Sequence, residues 1–241
     1  MIFKTLRLSA SAVIFKNAML NNDFLQFLYD LSQNNNRDWF EKNKKRYEAS
    51  VKKPFEATVG EVLQRLATLE PEFARVEPKN CVFRIYRDTR FSADKSPYKT
   101  HVAAVFVPQG KKSVEDLAIP GYYLHVEFGS LQIGGGAYFL DKEPLRKVRT
   151  AIMQDPEAFR ELISEKNFVE KYGEIKGDKN KMLPPEFKEA VKSEPLLANK
   201  QFYFMAELDP ENALRADFPD FVFEYFRAGK ALNDYFRKVI F

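Results

Sequence analysis

Apolar positions in the first third of the chain recur with the period of an α-helix. In residues 24–31 the large apolar side chains fall on one face, and Asn22 stands before them as a candidate N-cap. Asn36, at the end of a polar break, predicts the start of a second helix. Pro54 suits the first turn of a third helix, and Pro71 ends the helical region. The pattern therefore predicts three amphipathic helices before the middle of the chain.

The middle of the chain changes to a period of two, which is typical of strands. Phe83 and Ile85 alternate with polar side chains, so the two sets are expected to face opposite sides of a sheet. A glycine triplet at residues 134–136 is expected to interrupt a later strand with a bulge or a bend. The predicted strands are residues 83–90, 100–107, 122–128, a fourth that resumes at 137–140, and 201–208.

Helical periodicity returns in the second half of the chain. Helices are predicted at residues 143–154, at 156–166 with Asp155 as the cap, and at 218–240, where Gly229 is expected to break the helix. A shorter helix is predicted near residues 185–193. Because the strands form a cluster and the helices flank it, we expect an α+β fold. Its central sheet is expected to be mostly antiparallel and flanked by N-terminal and C-terminal helices.

Composition indicates a soluble globular protein. The 241 residues are 45% hydrophobic and 30% charged, which suffices for a sizeable core. The sequence has no run of about 18 apolar residues, so we expect no membrane association. Residues 19–241 are expected to form one α+β domain. Residues 1–18 are expected to be a poorly ordered leader or to result from a start codon assigned too far upstream. A single cysteine, Cys81, cannot form an internal disulfide, which fits a cytoplasmic location.

Residues 83–101 are the most distinctive segment. They hold five cations, two carboxylates, two tyrosines and one of the two histidines of the chain. Guanidinium groups bind carboxylate or phosphate oxygens in pairs, so this mixture predicts a pocket for a phosphorylated or carboxylated small molecule. An internal ion network that uses Asp94 or Glu127 is an equally open interpretation. The candidate ligand-binding residues are Arg84, Arg87, Asp88, Arg90, Lys95 and Lys99.

The glycine triplet is a further candidate part of this pocket. Gly134, Gly135 and Gly136 could offer backbone N–H groups to an anion. The triplet lacks the Lys-Ser/Thr ending of a phosphate-binding P-loop, so a bend in a strand is the preferred interpretation. Glu207, on the last predicted strand with Tyr203, could line the same pocket or could equally face solvent.

Four segments occur in an order that resembles one known family. They are residues 34–40, 84–101, 121–125 and 134–136. Together they resemble the domain-of-unknown-function family 2461, which is widespread in bacteria and fungi. The similarity extends over residues 22–240. It implies one domain and supplies no activity.

His101, His125 and Glu127 form a second constellation. His125 and Glu127 are two residues apart, so both project from one face of a strand. If the neighbouring strand brings His101 alongside, the three could bind a metal as two histidines and one carboxylate. Alternatively His125 could transfer protons, oriented by Glu127 and assisted by Tyr86 or Tyr98. A purely structural role for the histidines is the third interpretation.

Four functions therefore stay open. Binding or turnover of an anionic small molecule comes first. A nucleic-acid-binding module would use aromatic rings between cations, but the net charge of +4 makes a nucleic-acid partner less expected. The third function is that of a metal-dependent enzyme, and the fourth is that of a non-catalytic scaffold. The sequence points to no particular cofactor and to no particular oligomeric state.

Overall fold

The computed structural model describes residues 20–110 and 118–241. The leader predicted at residues 1–18 lies outside the described residues. So do residues 111–117, between the strands predicted at 100–107 and 122–128. The helices are α1 Asn22–Gln33, α2 Arg37–Arg46, α3 Lys53–Leu69, α4 Lys142–Gln154, α5 Pro156–Ser164, α6 Lys166–Tyr172 and α7 Phe218–Ile240. The strands are β1 His101–Phe106, β2 Gly121–Glu127, β3 Ser130–Ala137 and β4 Phe202–Leu208.

The N-terminal helices begin where asparagines can cap them. The side chain of Asn21, rather than the expected Asn22, accepts a hydrogen bond from the backbone N–H of Phe24. Asn36 caps α2 as predicted, by accepting from the N–H of Trp39. Helix α2 then continues through a π-helical turn at Tyr47–Lys52 into α3. The three predicted helices are therefore confirmed, although the second and third are continuous.

The sheet is antiparallel throughout, with the strands in the order β1-β2-β3-β4. In each strand, one alternate set of side chains is fully buried. This set includes Phe106, Tyr122, Leu124, Ile133 and Phe204, and it joins the apolar faces of the helices in one core cluster. The expected α+β class, with an antiparallel sheet flanked by N-terminal and C-terminal helices, is confirmed.

The expected first strand, residues 83–90, is wrong. This segment forms one isolated bridge, between Tyr86 and Tyr98. Backbone hydrogen bonds from Lys99 to Ile85 and from Arg87 to Pro97 keep it beside residues 97–99, but no regular strand forms. After Arg87 the side chain of Asp88 accepts a local hydrogen bond from the backbone N–H of Arg90. Alternation correctly marked Ile85 as buried.

The glycine triplet does not interrupt β3, so the expected bulge or bend and the continuation to residue 140 are both wrong. Gly134, Gly135 and Gly136 keep a continuous register with β2 and β4. They are required because the strands approach closely: a Cβ on Gly134 would lie 2.2 Å from the carbonyl oxygen of Phe204. Gly136 also has a φ of 110°, which side chains with a Cβ rarely adopt.

Helix α7 runs unbroken through Gly229, contrary to expectation. It contacts the buried face of β3, and Asn233 fixes the contact. The side chain of Asn233 accepts from the N–H of Gly136 and donates to the carbonyl of Gly121. Asp155 caps α5 as predicted, but the short helix expected near residues 185–193 is replaced by separate 3₁₀ turns.

Among the described residues, no helix combines the length and apolar character that a membrane crossing requires.

Candidate functional site

The face of the sheet that points away from the core carries a groove. His101, Tyr123, Gln132 and Glu207 come one from each strand, and the strand register places them on this face. The space they border has a volume of about 570 Å³. This volume is within the usual range for sites that bind small molecules.

The wall of the groove combines aromatic rings with a few charged groups. Gly121, Gly135 and Gly136 border it with backbone alone. Segments outside the sheet complete the wall. The principal lining side chains are Phe83, Lys99, His101, Tyr123, Gln132, Tyr138, Phe139, Lys176, Tyr203, Met205 and Glu207.

Among the described residues of this lining, two lysines and one carboxylate carry a formal charge. The Lys99 ammonium lies 5.0 Å from the centre of the Phe83 ring, a cation–π contact. The Lys176 Nζ lies 3.5 Å from an oxygen of Glu207. The charged wall is therefore formed by groups from β4 and from two irregular segments, which local periodicity in the sequence could not bring together.

The arginines of the central segment do not converge on this groove. Arg87 forms an ion pair with Asp94, and Arg90 pairs with Asp88 at 2.7 Å while its own side chain is 77% exposed. Arg84 is exposed. The expectation that these guanidinium groups meet in one cavity is wrong. Arg87 and Arg90 each pair with a carboxylate a few residues away in the loop.

These pairings also change the acidity of the loop carboxylates. The hydrogen bond from Arg90 lowers the pKa of Asp88 to about 2. Hydrogen bonds from Ser96, and then from Arg87, lower the pKa of Asp94. The loop therefore contains a network of local ion pairs. This arrangement agrees with the second interpretation of the segment, an internal ion network, rather than with an anion pocket. Of the expected ligand-binding cations, Lys99 lines the groove, whereas Lys95 donates to the carbonyl of Thr89 at 2.9 Å.

The two histidines and Glu127 come together at one end of the open face. His101 on β1 pairs directly with Glu127 on β2, and His125 lies two residues before Glu127. The two imidazole rings stack with centroids 4.2 Å apart. The His125 Nε2 lies 3.6 Å from Oε2 of Glu127. One donor atom from each of the three residues lies within 4.8 Å of the others.

Each end of this cluster has a neighbouring hydroxyl group. The Tyr123 hydroxyl lies 3.1 Å from Nδ1 of His125, and the Thr100 hydroxyl donates to Oε1 of Glu127 at 2.7 Å. His125 is only 8% exposed, and its buried Nε2 has no hydrogen-bond partner among the described residues.

Burial keeps both histidines neutral near pH 7. Desolvation, followed by the charge of a protonated His125, lowers the pKa of His101 to about 4. Burial also lowers the pKa of His125, against the opposing effect of Glu127. Neutral imidazoles can act as metal ligands or as proton acceptors.

The two candidate tyrosines lie in another part of the structure. Tyr98 is buried and stacks on Phe40 with ring centroids 4.0 Å apart, and Tyr86 packs beside it. The side chain of Asn35 holds this segment by bonding both the N–H and the carbonyl of Tyr98. Neither Tyr86 nor Tyr98 lines the groove, and their ring contacts are with Phe40 and with each other.

Sequence reasoning missed several groove residues. Gln132 could have been found, because the antiparallel pairing of β2 with β3 places it opposite His125. Lys176, Tyr138 and Phe139 lie in irregular segments and carry no local pattern that points to the groove. For Glu207 the sequence left open a pocket or solvent, and the structure places both Glu207 and Tyr203 at the border of the groove.

Comparison with known protein families gave a match over most of the chain. A family model described as "Conserved hypothetical protein (DUF2461)" matches residues 23–235, which is most of the chain. No curated protein and no solved structure matches this chain.

Proposed function

Because the chain belongs to the DUF2461 family of conserved hypothetical proteins, whose description names no activity, we propose its function from the groove: it binds a small organic anion. The observation that carries this proposal is the cavity of about 570 Å³ on the open face of the sheet, bordered by Lys99 and Lys176. The anion is the ligand expected from the sequence, but the location differs. Lysines of the groove replace the arginines of the loop.

Charge supports an anionic ligand. Lys99 and Lys176 bring two positive charges to the wall, and Glu207 brings one negative charge. His101 adds no charge near pH 7, because its pKa is about 4. The net positive charge of the wall favours a carboxylate or a phosphate, and charge-assisted hydrogen bonds to such groups are the strong ones.

Shape and polarity support an organic molecule rather than a bare inorganic ion. Phe83, Tyr138, Phe139 and Tyr203 give the wall several ring surfaces, on which planar apolar groups can pack. Gln132 offers an amide donor and an acceptor that could orient a polar substituent. We therefore expect a ligand with one anionic group and a planar body.

The test is a thermal-shift panel of aromatic and aliphatic carboxylates and phosphates on the metal-free protein. A ligand at 100 times its Kd should stabilise the native state by about 2.7 kcal/mol. Lys176→Met should shrink the shift at least threefold. Lys95→Met should preserve it, because Lys95 bonds a loop carbonyl outside the groove. A panel without any shift, or equal losses in the two variants, would contradict the proposal.

A nucleic-acid interface is a second candidate, favoured by the exposure of the loop. Phe91 is 95% exposed, and the Arg90 guanidinium lies 5.7 Å from the centre of its ring. An exposed ring beside a cation can stack on an unpaired base. Oligonucleotide shift assays at 50 and 200 mM salt test this candidate. Salt-sensitive binding that is lost in Phe91→Ala would support it, and binding that is unchanged in that variant would rule it out.

A further inference from the structure

We propose that His101, His125 and Glu127 bind one divalent first-row transition-metal ion, of the class that takes imidazole and carboxylate ligands. This site goes beyond anion binding, because it gives the open face a Lewis acid beside the groove. It is independent of which organic molecule occupies that groove. His101 belongs to both, since it lines the groove and is one of the three ligands.

The distances suit a shared ion after small side-chain rotations. Metal–nitrogen and metal–oxygen bonds are about 2.0–2.2 Å long, so two ligand atoms on one ion lie about 3.0–3.5 Å apart. The His125 Nε2 and Glu127 Oε2 are already 3.6 Å apart. The widest separation in the set is within 4.8 Å, and the side chain of Glu127 is 38% exposed and can rotate.

The buried nitrogen of His125 is the second observation that points to a ligand. Buried polar atoms almost always have a partner, and this Nε2 has none among the described residues. His125 is 8% exposed as a whole residue, and its side chain is 11% exposed. A metal ion bound there would satisfy the nitrogen and would also explain why two neutral imidazoles stack beside a carboxylate.

Hydroxyl groups orient two of the three ligands. When Nδ1–H of His125 donates to the Tyr123 oxygen, Nε2 keeps its lone pair on the side of Glu127. Thr100 donates to Oε1 of Glu127, which leaves Oε2 for the ion. Metal-binding histidines and carboxylates usually have such outer partners, which fix the tautomer and the ring orientation. Tyr123 and Thr100 are therefore positioning residues.

The ligand set also limits the kind of metal. Two imidazoles and one carboxylate suit iron(II), manganese(II), cobalt(II) or zinc, and three protein ligands leave further coordination positions open. A divalent ion carries two positive charges and Glu127 carries one negative charge, so the occupied site would have a net charge of +1. That charge adds to the positive wall formed by Lys99 and Lys176, so an organic anion in the groove could complete the coordination shell.

Metal titration of chelator-stripped, untagged protein tests the site. Manganese(II), cobalt(II), zinc and anaerobic iron(II) are each titrated by calorimetry, and cobalt(II) also by its visible absorption spectrum. We expect one ion per chain for at least one metal. The chain has only two histidines, so a site that depends on imidazole must use them. His125→Ala and Glu127→Ala should each weaken binding at least 100-fold.

Control variants separate a ligand from a structural residue. Glu207→Gln removes a carboxylate from the same groove and should leave metal affinity within twofold. Tyr123→Phe should weaken binding 10–100-fold and alter the cobalt spectrum. His101→Gln changes a less buried ligand, so it keeps the test valid if His125→Ala does not fold. The absence of one-to-one binding with all four metals, or affinity that is unchanged in folded His101→Gln, would overturn the proposal.

The result is distinguishable from failure of the anion proposal. The ligand panel is measured on the metal-free protein, so a ligand shift without metal binding would overturn only the metal site. Metal binding without any ligand shift would overturn only the anion site.

Discussion

Gly229 lies inside α7 against the ring of Phe204, and this close contact leaves no room for a side chain. A Cβ at this position would lie 2.4 Å from Cε2 of Phe204. Alanine is favoured over glycine by about 1 kcal/mol inside a helix, but overpacking a core costs about 1–3 kcal/mol. We expect the clash to dominate, because Phe204 is itself fully buried. Gly229→Ala should therefore lower the free energy of unfolding by up to about 2 kcal/mol in urea titrations.

The matched control for this prediction is Gly129, in the turn between β2 and β3. A Cβ there would meet nothing within 4 Å. Gly129→Ala should change the free energy of unfolding by no more than about 0.5 kcal/mol. If Gly229→Ala were as stable as the parent protein or more stable, the close contact with Phe204 would not be the reason for the glycine.

At the scale of elements, a buried ion pair joins α3, α7 and β2. Glu70, directly after α3, is 4% exposed and pairs with Arg237 of α7, and it also accepts a hydrogen bond from the Tyr122 hydroxyl. Arg237→Met would leave the carboxylate buried without its cation. Loss of one partner of a buried pair costs about 3–5 kcal/mol. We expect a loss of that size in the free energy of unfolding, measured in guanidinium chloride.

Adding Glu70→Gln to Arg237→Met removes the unpaired charge and should recover more than half of the loss. Arg215→Met is the exposed control, because Arg215 pairs with Asp217 at the surface and such pairs contribute at most about 1 kcal/mol. Equal losses in Arg237→Met and Arg215→Met would show that the buried pair does not join these elements.

The elements also show how far sequence reasoning reaches. The cap at Asn36 and the strands β1, β2 and β4 follow from local chemistry and alternation, so they could be predicted. The segment at residues 83–90 has the same alternation, but it makes only scattered backbone hydrogen bonds to residues 97–103, and its one carboxylate, Asp88, bonds to Arg90. Periodicity tells which side chains face water. It does not tell which strand lies alongside.

At the scale of the whole molecule, the sheet separates two environments. One face packs against α7 and the rest of the helical core, and the other carries the groove and the histidine cluster. The sequence predicted His101, His125 and Glu127 as a set because two of them share one strand face. Lys176 reaches the groove only because its segment pairs with β4 at Tyr203, a contact between residues far apart in sequence. Such long-range placement is why only part of the site could be predicted.

The buried histidines should make the metal-free protein less stable in mild acid. The pKa of His101 is about 4 in the folded state and 6.5 in an exposed histidine. Between these values the unfolded chain binds more protons, so this stability is complete above about pH 6.5 and is lost as the pH falls towards 4. The burial-lowered pKa of His125 acts in the same direction, and Lys99 reinforces both. Each histidine contributes at most about 1.4 kcal/mol per pH unit.

Urea titrations with chelator at pH 7, 6 and 5 should show this loss of stability. The His101→Gln, His125→Gln double variant should show a smaller dependence of the free energy of unfolding on pH. Equal slopes would mean that groups other than the two histidines dominate the acid sensitivity.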